Sequence, residues 1–275
     1  MFREQCKVLK NKKVAPGHYI LKFSSSKISK NAEAGQFVQI LCSDSYEPLL
    51  PRPFSFLTAS KKDFSVLYQV VGKGTKILSQ IVKNDSLWIL GPLGNGFTQT
   101  KTVENLALVG GGVGIPPLYH LAEQLLKSRV NKNNIHVFLG ARNKSLLLCE
   151  KDFKKLGVDL KLATDDGSKG KKGFVTEILE EFLKSKRPLA PSLIKEGESK
   201  GELYIYTCGP TPMLKAVSSI SKRYNVPCEV SVEVPMACGF GACLGCAIEV
   251  DDSKGRRFAV ACTEGPVFQA KEIIW

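Results

Sequence analysis

The chain has 275 residues, 43% of them hydrophobic and 24% charged, which suits an ordinary globular protein with apolar material for two domains and a small appendage. Its net charge of +13 comes from dispersed lysines such as Lys10, Lys12 and Lys13, with no RNA-binding or helix-turn-helix pattern. A dedicated nucleic-acid module is therefore excluded, and the charge reads as a solvated surface. No apolar run reaches the length of a membrane span, and the first residues lack a signal-peptide core, so a cytoplasmic protein with no membrane contact is expected. Nine cysteines, an odd number without framework spacing, point to a reducing compartment.

From residue 5 to about residue 90, short alternating or apolar runs (5–9, 19–23, 37–41 and 64–71) are separated by turn residues. This spacing predicts an antiparallel β-barrel. Pro51-Arg52-Pro53-Phe54-Ser55-Phe56 opens a stiff strand with one arginine and one hydroxyl. Arginine suits a diphosphate because its fork donates several charged hydrogen bonds; an edge strand that tolerates proline is the alternative. Gly72-Lys73-Gly74-Thr75 then starts a short helix with Ile77, Leu78 and Ile81 on its inner side. A glycine turn at a helix start presents free N–H groups and the positive dipole end, an anion site.

Residues 106–109 form an apolar run that reads as a buried parallel strand, followed by Gly110-Gly111-Gly112-Val113-Gly114 and a helix from Ile115-Pro116-Pro117 to about Lys127. Strand, glycine loop and helix is how a dinucleotide pyrophosphate is cradled. A tight turn of no further meaning is the alternative, because the loop is not a strict G-x-G-x-x-G. Alternation continues with strands at 135–139, 159–163 and 203–207 and helices at 144–156 and 176–183, then Cys208-Gly209-Pro210 and a helix carrying Met213. That series predicts a parallel sheet with helices on both faces. Residues 184–201, with Pro188, Pro191 and many charges, read as a surface insert.

The last 50 or so residues carry Cys238, Cys243 and Cys246 in C-x4-C-x2-C spacing, with Cys262 further on. This is plant-type spacing for a [2Fe–2S] cluster, and glycines at 239, 241 and 245 suit a loop curled around sulfur. A structural zinc site is the alternative, although zinc sites usually pair two short cysteine hooks. A strand at 227–234 and a hairpin at 247–262 should frame the loop. So small a unit needs its metal for stability. Boundaries are expected at 1–99 for the barrel, 100–224 for the α/β unit and 225–275 for the cluster unit. The fold class is thus α+β multidomain.

Arg52-Pro53-Phe54-Ser55 and the Gly74-Thr75 helix start resemble the flavin site of the ferredoxin–NADP reductase superfamily. The resemblance implies bound FAD, with Arg52 on the pyrophosphate, Ser55 near the reactive N5, and Pro53 and Phe54 beside the ring. Tyr68, Gln69 and Val70 would line the flavin, and Gly74 and Thr75 would bind its phosphates. Gly110, Gly111, Gly112, Gly114 and Pro116 would face NAD. Cys208, Gly209, Pro210 and Met213 would border the nicotinamide, with Cys208 near the hydride-transfer point. For Cys208 a plain strand-end cysteine is the alternative.

Met236-Ala237-Cys238-Gly239, Gly265-Pro266-Val267-Phe268 and the ending Ile273-Ile274-Trp275 resemble the electron-transfer subunits of NAD-linked dihydroorotate dehydrogenases of type B. This implies FAD, NAD and a [2Fe–2S] cluster held by Cys238, Cys243, Cys246 and Cys262. It also implies a partner, an FMN-binding dihydroorotate dehydrogenase catalytic subunit, in a heterotetramer of two of each. Small subunits of NADH-dependent ferredoxin:NADP oxidoreductases and sulfide dehydrogenases are similar, but some of them have Asp where this chain has Cys238. A stand-alone ferredoxin reductase-type flavoprotein is the reading from a different class.

Overall fold

The computed structural model describes residues 1–100, 103–186 and 203–275. Strands β1 (Phe2–Ala15), β2 (His18–Ser24), β3 (Phe37–Ile40), β4 (Arg52–Ala59), β5 (Asp63–Gln69) and β6 (Ser86–Leu93) come first, with helices α1 (Ser26–Lys30) and α2 (Lys73–Gln80) among them. They close in the order β1-β2-β5-β4-β3-β6 into the antiparallel barrel that the alternating runs predict. Every second residue points inward, so Val8, Leu21, Phe23, Val38, Ile40, Phe56, Phe64 and Ile89 fill one interior. Pairing β1 with β6 leaves the sheet no open edge. Helix α1 was not foreseen; the Ser25 hydroxyl starts it by accepting from the Ile28 N–H at 3.0 Å.

The chain continues through β7 (Asn105–Gly111), α3 (Ile115–Lys127), β8 (Ile135–Ala141), α4 (Glu150–Leu156), β9 (Asp159–Thr164), β10 (Lys171–Lys172) and α5 (Val175–Lys186). Then follow β11 (Leu203–Cys208), α6 (Thr211–Arg223) and β12 (Cys228–Ser231), the hairpin β13 (Ala247–Asp252) and β14 (Gly255–Val260), and β15 (Val267–Gln269). A seven-stranded sheet runs β10-β9-β8-β7-β11-β12-β15. It is parallel except where β15 pairs antiparallel with β12. Leu106, Ala107, Leu108 and Val109 are fully buried, as expected of a strand covered on both faces. One face packs on α3, the other on α5 and α6.

Two local expectations change. Residues 144–156 are not one helix: a 3-10 turn over Lys144–Leu146 precedes α4, and Cys149, at φ 58°, turns the chain between them. A strand expected at 227–234 is the shorter β12, and it lies in the large sheet together with β15. Both strands lie beyond the expected division at 224/225, which therefore runs through the sheet. Of the expected insert at 184–201, residues 184–186 end α5 and the rest lie outside the described residues.

Barrel and sheet share a core, in which Leu57, Leu67 and Phe97 meet Leu118, Leu121 and Val267. Polar bonds cross the same seam. The Gln124 carboxamide of α3 accepts from the Ala34 N–H at 3.2 Å and donates to the Ala32 carbonyl at 3.4 Å. Tyr206 donates to the Thr98 carbonyl at 2.6 Å, and Glu229 accepts from the Thr98 N–H at 2.9 Å. Burial pushes the Glu229 carboxyl up from its ordinary value.

His120 of α3 stands in this seam, its ring edge-on to Phe56 at 6.2 Å, and is 1% exposed. Burial, helped by Lys127, lowers its pKa from 6.5 to about 4. The unfolded chain thus binds the proton first as pH falls. Stability from this site is full above pH 6.5 and drains away toward pH 4, by about 2 kcal/mol at pH 5. His120→Met is therefore expected to lose less of its thermal midpoint than the native chain between pH 7 and pH 5. Parallel pH–melting curves check this, and identical slopes would count against it.

Candidate functional site

The sequence-predicted residues fall into three groups. The first lies at the end of the barrel where α2 begins. A methyl placed on Gly74 would come within 3.3 Å of Arg52 Nε and 3.2 Å of Cys42 Sγ. Arg52 and the α2 start thus meet, although 22 residues separate them in sequence. Arg52 Nη1 donates to the Leu50 carbonyl at 2.7 Å, which fixes the arm. Thr75 Oγ1 accepts from the N–H groups of Val71 and Gly72 at 2.9 and 3.1 Å, ordering the turn. A guanidinium beside a glycine whose missing side chain leaves the backbone open fits a phosphate.

Register sorts the β4 residues between two faces. Phe37 pairs with Ser55, Val38 with Phe54, Gln39 with Pro53 and Ile40 with Arg52. Cross-strand partners share a face, so Phe54 turns toward the barrel with Val38, and Pro53 and Ser55 turn outward with Gln39 and Phe37. Phe54 stays half-buried and is backed by Tyr68 at 5.7 Å. Tyr68 is 2% exposed and its hydroxyl reaches Asn11 at 3.5 Å, so its side chain is committed to the core. Gln69 is exposed and Val70 half-buried at the rim. The half-buried aromatic surface of Phe54 at the barrel end fits the flat apolar ring of a flavin.

The second group joins two strand ends of the sheet. Gly112, at φ 56°, takes a backbone shape open to glycine. A methyl on Gly114 would stand 2.5 Å from the Gly209 N and 2.6 Å from the Cys208 carbonyl carbon. A methyl on Gly111 would meet Met213 Sδ at 2.8 Å and Pro210 Cδ at 3.3 Å. Gly110, Gly111, Gly112, Gly114 and Cys208, Gly209, Pro210, Met213 therefore form one crevice at the carboxyl ends of β7 and β11, where open α/β sheets take ligands. Pro116 and Pro117 sit in the first turn of α3 and bring no N–H, so anion contacts there must come from the glycine loop. Cys208 is 7% exposed, and burial pushes its thiol up to about 12; it is a neutral group at working pH.

The third group is the cysteine loop. Gly239 and Gly241 take φ of 80° and 89°; Gly245 does not, and Leu244 instead turns left-handed at φ 54°. The loop aims N–H groups at sulfur: Gly241 N lies 3.1 Å from Cys262 Sγ, and Cys262 N lies 3.4 Å from Cys246 Sγ. Burial works against ionisation of Cys238, but the N–H groups of Phe240, Cys243 and Ala242 prevail and bring its thiol down to about 6. Cys262 goes the other way, to about 12, through burial and the neighbouring Cys246. A bound cation would resolve that conflict, because a coordinating thiol is deprotonated outright.

Among the described residues, no three or more His, Cys, Asp or Glu gather around one ion position. Cys246 and Cys262 pack with Phe37 and Leu93 of the barrel. The Asn95 side chain donates to the Thr263 and Glu264 carbonyls at 3.2 and 2.9 Å, tying the loop to the barrel exit. A cavity of about 320 Å³ at this junction is lined by Thr98, Glu229, Arg257 and Gln269, and none of the three groups lines it.

A closed antiparallel barrel, a parallel-sheet unit with a glycine loop and a cysteine loop near the end define a reductase-type iron–sulfur flavoprotein. "Oxidoreductase NAD-binding domain" matches residues 108–219. "Iron-sulfur cluster binding domain of dihydroorotate dehydrogenase B" matches residues 233–274. The "Dihydroorotate dehydrogenase B (NAD(+)), electron transfer subunit" of Desulforamulus reducens is 37% identical over 98% of this chain and 97% of its own. The subunit of the same description from Caldanaerobacter subterraneus subsp. tengcongensis is 38% identical over 100% and 99%. A solved chain of an NADH-dependent reduced ferredoxin-NADP oxidoreductase superposes with TM-score 0.81 at 30% identity, over 99% of this chain and 90% of that one. The chain belongs to the family of electron transfer subunits of dihydroorotate dehydrogenase B (NAD(+)).

Sequence reasoning passed over Gln39 and Phe37, which share a face with Ser55; the signal available was their alternation with Val38 and Ile40. Because the strand ends touch through Gly114, Gly114→Ala must push them apart, an overpacking cost of about 1–3 kcal/mol. The variant is expected to melt at a lower temperature and to bind NADH more weakly. Thermal melts and an NADH titration check this, and unchanged values in both would refute it.

Proposed function

We propose that this chain passes electrons between NAD(H) and a separate dihydroorotate-oxidising chain that carries FMN, in an assembly of two copies of each. Residues 1–99 are assigned to FAD, 100–224 to NAD and 225–275 to the cluster. FAD bound here would supply both hydride exchange with NAD and single-electron exchange with a [2Fe–2S] cluster, which joins two-electron to one-electron chemistry.

The chain's own residues prepare that exchange. Arg52 holds the flavin pyrophosphate with Gly74 and Thr75, in a corner already shaped for an anion. Pro53, Phe54 and the rim at Gln69 and Val70 receive the ring, with Tyr68 supporting Phe54 from within. Ser55 offers its hydroxyl on the outer face of β4, toward the reacting edge. Gly110, Gly111, Gly112, Gly114 and Pro116 receive NAD on one wall, and Gly209, Pro210 and Met213 on the other. Cys208, kept neutral by burial, orients the nicotinamide and moves no proton. Cys238, Cys243, Cys246 and Cys262 hold the iron.

The observation that carries this reading is the outer face of β3 and β4. Phe37 pairs with Ser55 and also packs on Cys246 and Cys262, while α3 of the sheet unit rests on β4 through Leu57. One barrel face thus borders both other groups, as a relay requires. No helix among the described residues is long and apolar enough to cross a membrane. The superposition on the ferredoxin-NADP oxidoreductase chain supports a second reading, a small subunit serving that reaction.

Co-expression with an FMN-binding dihydroorotate dehydrogenase chain and anaerobic purification should give a stable complex that reduces NAD⁺ with dihydroorotate. Reduction of NAD⁺ with ferredoxin and no complex would favour the second reading. Cys246→Ser is expected to lose acid-labile sulfide and keep FAD, and Arg52→Gln to lose most FAD and keep sulfide. Cofactor analysis of the purified variants checks both, and retention of the cofactor in either would remove that residue from the assignment.

A further inference from the structure

Gln39 is 1% exposed, yet its side-chain nitrogen and oxygen have no hydrogen-bond partner among the described residues. Buried polar groups are almost always paired, so a carboxamide orphaned at both atoms points to a partner outside the chain's own atoms. Its neighbours indicate which one. Along β3, Val38 and Ile40 enter the barrel core, while Phe37 and Gln39 face the other way. Phe37 meets Cys246 and Cys262. Gln39 lies against the loop one residue beyond Cys238: a methyl on Gly239 would stand 2.7 Å from Gln39 Nε2 and 2.6 Å from its Cγ. On β4 its register partner is Pro53, inside the stretch assigned to FAD.

For packing alone an apolar side chain would serve at this position, as Phe37 does next to it. A carboxamide there is useful for its N–H. A [2Fe–2S] cluster gains negative charge when reduced, and hydrogen bonds to its sulfurs favour the reduced form and raise its potential. Backbone N–H groups of the loop already point at the cysteine sulfurs, so a side-chain donor at Gly239 would extend the set from the flavin side. Resting on the cluster reading above, we infer that Gln39 is a positioning residue for the electron relay. Its amide donates toward the cluster beside Cys238 and sets the cluster's potential relative to the flavin.

The test uses the purified, cluster-loaded chain. Gln39→Met keeps length and removes the N–H donor; Gln39→Glu keeps shape and replaces the donor with an acceptor. In each, FAD, acid-labile sulfide and the NADH dissociation constant are measured with the native chain in parallel. The cluster's midpoint potential is then read from an anaerobic EPR titration. The expected result is native sulfide, FAD and NADH affinity in Gln39→Met, with the potential more negative by well over the replicate scatter, and a further fall in Gln39→Glu. An unchanged potential in a sulfide-loaded Gln39→Met overturns the inference and leaves the cluster reading standing. Loss of sulfide from both variants overturns it too, since Gln39 would then be needed to build the site. A native chain without acid-labile sulfide refutes the cluster reading itself, and this inference with it.

Discussion

Side-chain alternation along β3 is the constraint on which the arrangement depends. A strand shows its residues to two faces in turn, and both faces of β3 are occupied. Val38 and Ile40 close the barrel, and Phe37 supports the cysteine loop from the other side. A slip of one residue would put Phe37 and Gln39 inside the barrel and Val38 and Ile40 under the loop. The barrel core therefore fixes the register, and the register fixes which β4 residues share a face with the cysteines.

The barrel and sheet are tied by more than a linker. Their shared core carries Leu57 and Phe97 against Leu118 and Val267, and Tyr206 and Glu229 of the sheet hold the barrel exit at Thr98. β15, after the cysteine loop, returns to the sheet edge beside β12. The loop is thus anchored at both ends in a larger body, which compensates for the small core of the hairpin β13–β14. Side chains bury little there, as the 70% exposure of Phe258 illustrates.

Opposite shifts at Cys238 and Cys262 follow from where each thiol sits. Cys238 lies at the start of a loop whose N–H groups converge on it, while Cys262 lies deep beside Cys246. Cys246 and Cys262, side by side, would repel each other as thiolates without a cation. The polypeptide supplies donors and geometry, and the missing charge is left for iron.

Much of this was legible in the chain. Period-two runs gave the barrel, the apolar stretch at 106–109 and the glycines after it gave a strand, loop and helix, and the cysteine spacing named the loop's chemistry. These are local signals, set by the few residues around each one. Pairings between distant segments are not local: the family resemblance put Arg52 with Gly74 and Gly114 with Cys208 on shared cofactors, but their direct approach and the return of β15 to the sheet came only from the structure. Nor did residue type disclose that Gln39 is buried with no partner among the described residues, or that Tyr68 turns inward. By itself the sequence determined the kinds of element and the chemical groups on offer. Only the tertiary structure decided which groups share a face, because strand order and register are settled by the whole core at once.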